Sequence, residues 1–125
     1  MRKAIEKYIN DKYNALPEYP WSDNPNYATF KHIDNKKWFA LIMDIPYKRV
    51  GINKDAIVNI INLKGIPEML GSLRKEPGIL PAYHMNKEHW ITVLLDGTVP
   101  KQKIFDLIDI SFDLTSKKDR RGKNG

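Results

Sequence analysis

The run Trp90-Ile91-Thr92-Val93-Leu94-Leu95 is apolar at every position but Thr92, so a strand built from it has two faces that both need covering. A chain carrying such a strand must place material above and below it. Behind it, Asp96 and Gly97 supply turn chemistry, and Pro100 predicts the first turn of a helix, where its missing N–H is harmless. Ile104, Leu107, Ile108, Ser111 and Thr115 then fall along one stripe of that helix, widened by Phe105, Phe112 and Leu114. Such a stripe is broad enough to blanket a sheet.

The rest of the chain supplies partners for this strand. From Arg2 to Leu16 the apolar residues Ile5, Tyr8, Ile9, Tyr13 and Leu16 recur at helical spacing. Pro17 and Pro20 end that helix, and the Pro-, Asn- and Asp-rich loop PEYPWSDNPN carries Trp21, which is expected to fold back as an anchor. Two runs follow, Tyr27 to Ile33 and Lys37 to Ile45, separated by Asp34-Asn35-Lys36, where Asp-Asn suits the positive φ angles of a tight hairpin. The second run is nearly all apolar, which marks a central strand. After a basic connector, Ala56 to Lys64 reads as a third strand, with Ile57, Asn59, Ile61 and Leu63 on one face and Val58, Ile60, Asn62 and Lys64 on the other. Gly65 to Lys75 predicts a short helix with Pro67 in its first turn and Met69, Leu70 and Leu73 as its apolar residues. The order helix, three strands, short helix, strand, helix predicts an α+β fold: an antiparallel sheet with the N- and C-terminal helices packed on one face.

With 125 residues the chain suits one domain, expected over 1–116. Residues 117–125 read as a basic tail that stays unfolded, since Lys117, Lys118, Arg120, Arg121 and Lys123 against Asp119 hold +4 of the formal +6 charge. The folded body is therefore close to neutral. No cysteine is present, which excludes disulfides, thiolate metal sites and cysteine nucleophiles and points to a reducing, cytoplasmic setting. No apolar run approaches the length of a membrane span, so no membrane partner is expected.

Pro81, Ala82, Tyr83, His84, Asn86, Lys87, His89 and Trp90, then Ser111-Phe112-x-Leu114, and upstream the stretch YPWSDNPNYATFKHIDNKKWFALIM, together resemble the MmcQ/YjbR-like family of small bacterial proteins. The resemblance covers nearly the whole chain apart from its last residues, and the family commonly has tyrosine where this chain has Phe112. It implies a frataxin-like topology and DNA binding. Shared topology does not bring iron binding with it, because on the first helix Glu6 and Asp11 are outnumbered by Arg2, Lys3, Lys7 and Lys12.

The chemistry-bearing residues point to recognition. His84 and His89 stand five apart at a loop-to-strand junction without a third ligand, so no metal is expected there. His89 is expected to bond a neighbouring backbone group and Trp90 to fill core volume. Ser22, Ser72, Ser111 and Ser116 lack a glycine-flanked elbow, and Ser111, mid-helix, is expected to bond the carbonyl one turn earlier. The glycines stand alone, with no phosphate-cradling loop. No catalytic residue and no cofactor are therefore expected, and the protein is read as a non-enzyme. Lys36, Lys37, Lys48, Arg49, Lys54 and Lys87 are the candidate contacts to DNA of low sequence specificity, with aromatic residues interleaved. The alternative is a protein-interaction or small-ligand module in which the loops 20–27 and 83–87 form a cleft, with Trp21, Tyr83, His84 and Asn86 as its contacts.

Overall fold

The computed structural model describes residues 1–116; the basic tail expected at 117–125 lies outside the described residues. The elements run α1 (Arg2–Tyr13), β1 (Ala28–Lys31), β2 (Trp38–Pro46), β3 (Ile57–Lys64), α2 (Pro67–Leu73), β4 (Ile79–Pro81), β5 (Trp90–Leu94) and α3 (Lys101–Thr115). The strands pair antiparallel into one sheet ordered β1-β2-β3-β5-β4. The α+β layout expected from the sequence is the one observed. Ile5 and Ile9 of α1 and Ile104, Leu107 and Ile108 of α3 share a buried cluster with Ile42, Ile61, Leu63, Ile91 and Val93 on one side of the sheet. We call this the helix face.

The opposite face is covered by loops. Leu41, Met43, Ile45, Tyr47, Val58, Ile60 and Leu94 form a second buried cluster, against which Trp21, Tyr27, Trp38, Tyr83 and Met85 pack. β5 is thus covered on both sides, as its two-faced apolar run requires.

Several expectations need correction. α1 stops at Tyr13, because Asn14 turns left-handed (φ 54°) and its N–H bonds the Asn10 carbonyl, leaving Leu16 71% exposed. In the hairpin the positive φ falls at Lys36 (62°), while Asn35 spends its side chain on the turn, its Oδ1 accepting from Lys37 N–H. The basic connector contains a 3-10 turn, Tyr47–Val50. The stretch before β5 yields a short edge strand, β4, entered through Gly78. That glycine sits at φ 84°, and a Cβ on it would lie 2.6 Å from Val99 Cγ2, so no larger residue fits. Met69 is half exposed, leaving Leu70 and Leu73 to anchor α2. Trp90 is only half buried at the strand's start, and His89 is exposed, using its backbone carbonyl to accept from Gly65 N–H.

One irregularity decides which side chains reach which face. With Leu41, Met43 and Ile45 on the loop face, strict alternation would put Phe39 with them and Trp38 on the helix side. The β1–β2 pairing instead shifts: Phe30 faces Ala40, Lys31 faces Trp38, and Phe39 is the extra residue of a bulge. Phe39 therefore joins the helix-face core and Trp38 is re-aimed at the loop face. The β2–β3 ladder ends at Ala40 and Leu63. Beyond it Ser111 Oγ accepts from Lys64 N–H at 2.9 Å and donates to the Phe39 carbonyl at 2.6 Å. The Ser111 hydroxyl, expected to bond its own helix, instead ties α3 to both strands where the bulge opens them.

Candidate ligand cleft

On the loop face the two segments flanking the sheet leave a cavity of about 380 Å³, lined by Trp21, Asn24, Tyr27, Trp38, Leu41, Met43, Arg49, Tyr83, His84 and Met85. Its floor is sheet and its walls are aromatic. Trp21 meets Trp38 edge to face at 5.7 Å and Tyr27 at 6.0 Å between ring centroids. Tyr83 and His84 lie 4.0 Å apart on the far wall.

Each wall is fixed by bonds that reach into the body of the fold. The 20–27 loop is closed by Asn24 N–H to the Trp21 carbonyl and Tyr27 N–H to the Asn24 carbonyl. Arg2 holds its end, donating to the Asn26 carbonyl and to Asn59 Oδ1, and Asn26 in turn donates to Asp44. The 83–87 loop hangs on a cross-strand pair, Asn62 of β3 opposite Thr92 of β5. Thr92 donates to Asn62 Oδ1 (2.5 Å), Asn62 Nδ2 donates to the Tyr83 carbonyl (2.8 Å), and Tyr83 N–H donates to Thr92 Oγ1 (2.8 Å). This closed ring satisfies two fully buried polar side chains and clamps the Tyr83 backbone. The next residue, His84, is then held at φ 61°, a conformation that side-chain-bearing residues seldom adopt.

The 3-10 turn carries Arg49 to the rim. It is anchored by Tyr47, whose hydroxyl donates to Asp96 at 2.7 Å. Burial pushes the Asp96 carboxyl upward, but the hydrogen bonds from Thr98 and Tyr47 outweigh it and hold its pKa below the ordinary range. Arg49 donates to Tyr83 Oη at 3.2 Å, a bond that further favours its charged form. Burial raises the pKa of the Tyr27 phenol, which keeps that wall uncharged at neutral pH.

The cations expected to act together are divided. Lys36 and Lys37 are exposed at the β1–β2 turn, whereas Lys48, Arg49 and Lys54 lie beyond the other end of β2, about 26 Å away by strand rise. Lys48 is paired with Asp55 at 2.7 Å, and Lys54 lies over the Tyr47 ring at 4.8 Å. Lys87 and Arg49 share another groove of about 290 Å³ that adjoins the cleft at Arg49, Tyr83 and His84. Of the contacts expected in a cleft, Trp21, Tyr83 and His84 line it; Asn86 does not, being occupied with turn bonds to Glu88 N–H and Trp90 N–H. Trp38, Met43, Asn62 and Thr92 were not anticipated. The last two had a signal, as polar residues in otherwise apolar strands; Trp38 had none, because its orientation depends on the bulge.

Among the described residues no group of three or more His, Asp or Glu is placed to hold a metal ion, and no helix is long and apolar enough to cross a membrane.

The YjbR family model matches residues 10–114. The chain is 45% identical to protein YyaQ of Bacillus subtilis over 114 residues, covering 91% of this chain and 97% of that one. A Pseudomonas syringae protein solved by crystallography is 54% identical and superposes with a TM-score of 0.91 over 93% of this chain and 99% of its own. A Deinococcus radiodurans protein with a DUF419 domain shares 28% identity at a TM-score of 0.70, over 94% of this chain and 80% of its own. With a family model spanning most of its length and a full-length relative, the chain belongs to the YjbR family.

Proposed function

We propose that this protein is a binding module for a compact organic ligand, held in the cleft between the loops 20–27 and 83–87. The observation that carries the reading is the ring of four aromatic side chains, Trp21, Tyr27, Trp38 and Tyr83, around a cavity of about 380 Å³, a size suited to one small molecule. Aromatic walls held by a buried polar clamp are preformed, so a planar ligand binds without first ordering the loops.

Two tryptophans in the wall give the test a direct readout. Planar fragments that enter the cleft are expected to quench tryptophan fluorescence and raise the melting temperature, and Trp38→Ala is expected to remove both effects while the protein stays folded. Stabilisation that persists in Trp38→Ala, or a fragment set in which nothing binds, overturns the reading.

DNA binding through the lysines is the competing function. The division of Lys36 and Lys37 from Lys48, Arg49 and Lys54 between the two ends of β2 favours the cleft over one continuous phosphate-binding surface. A gel-shift titration across salt separates the two: steeply salt-dependent duplex binding that survives removal of residues after 116 and is lost in Lys36→Glu/Lys37→Glu would establish DNA binding instead.

A further inference from the structure

Resting on the cleft reading, we propose that its ligand is a flat aromatic ring carrying one anionic group, carboxylate or phosphate, with the ring between Trp21, Trp38 and Tyr83 and the anion on Arg49. Ring faces at right angles offer both stacking and edge contacts to a planar body. The polarity of the rim then selects what that body carries. Arg49 is exposed, spends one N–H on Tyr83 Oη, and has no carboxylate within ion-pairing distance among the described residues. Its neighbour Lys48, by contrast, is neutralised by Asp55.

No acidic residue lines the cleft or the adjoining groove, and the wall between them, Tyr83 and His84, has Arg49 on both sides and Lys87 on one. Asp44, whose negative charge reaches Tyr27, accepts from Asn26 and does not itself line the cleft. A cationic ligand would meet the Arg49 guanidinium at the rim, and a neutral one would leave its fork unused. The fork suits the paired oxygens of a carboxylate or phosphate. The cavity holds one ring system and has no room for a duplex.

The experiment is calorimetric titration of the full chain with a matched set: 2-naphthoate, its neutral amide, and the corresponding naphthylmethylammonium. Guanosine and guanosine monophosphate are titrated in parallel. The acid is expected to bind about tenfold or more tighter than the amide, and the ammonium most weakly. Arg49→Gln is expected to erase the gap between acid and amide, and since any effect of the lost bond to Tyr83 Oη falls on acid and amide alike, their ratio is the readout. A larger gap for the guanosine pair names phosphate as the anion, and a larger gap for the naphthalene pair names carboxylate. Equal affinities for acid and amide, or a gap that survives Arg49→Gln, overturn the proposal while leaving the cleft reading intact. Failure of every compound to bind sinks both.

Discussion

Phe39 and Trp38 are neighbours in sequence and lie on opposite sides of the sheet. Phe39 is fully buried, meeting Tyr13, His32 and Phe112 ring to ring beneath the helices. Trp38 is only partly buried and meets Trp21 at the cleft. Two helices cover the sheet with close-packed stripes and leave an opening of about 330 Å³ at the margin beside Tyr13, His32 and Phe112, whereas irregular loops cover the other face through a few large rings held by hydrogen bonds. The first arrangement gives stability. The second leaves a shaped opening on a rigid floor, which is where binding chemistry gathers.

If this division of labour holds, the largest effect on stability comes from Phe39→Ala, expected to cost about 3–5 kcal/mol in chemical denaturation. Trp38→Ala is expected to cost at most about 2 kcal/mol, because its ring is already part-solvated. Equal losses for the two would remove the distinction between the faces.

Ser111→Ala tests the joint between them. It strips the bonds to Lys64 N–H and the Phe39 carbonyl, at an expected cost of about 1–3 kcal/mol. Because that hydroxyl holds the bulge which aims Trp38, weaker ligand binding is expected beside the lower midpoint. Unchanged affinity would show that the bulge holds without it.

Asn62→Ala sharpens the comparison from the other side. It breaks the clamp on Tyr83, and its stability loss, about 1–2 kcal/mol, is expected to be smaller than its effect on the loop. Faster amide exchange confined to 83–87, with α1 and α3 unaffected, is the signature to seek.

The smallest effect is one of pH and belongs to the helix face. Burial holds the His32 imidazole below its ordinary pKa, against the opposing pull of Asp34 and Asp113 and with a minor push in the same direction from Lys37. With the folded value depressed, the unfolded chain takes up the proton first. Stability is then full above about pH 6.5 and falls as the pH drops from there through the folded value. Melting curves from pH 7.5 to 5 should show this decline, and His32→Gln should flatten it. An unaltered slope in that variant would place the titration elsewhere.

The regular parts of this fold were legible in the sequence because each rests on a local pattern. The two-faced run in β5, the alternation in β3 and the helical stripes of α1 and α3 all met the faces they predicted. The loops that frame the cleft were also legible, since a tryptophan in a Pro-, Asn- and Asp-rich segment has to be buried against something. What could not be read depends on pairing between distant residues. The bulge at Phe39 exists only in the register of Lys31 against Trp38. β4 is three residues long and becomes a strand only by pairing with β5. The role of Ser111 depends on two strands that its own helix merely covers. The separation of the lysines, too, follows from the length of β2 rather than from their spacing along the chain.

The most direct test of the claim that the loop face is the binding surface is an amide chemical-shift map recorded during titration with 2-naphthoate. Perturbations are expected to gather at Trp21–Tyr27, Trp38–Met43, Arg49 and Tyr83–Met85. Perturbations centred on α1 and α3, or on the turn bearing Lys36 and Lys37, would contradict it.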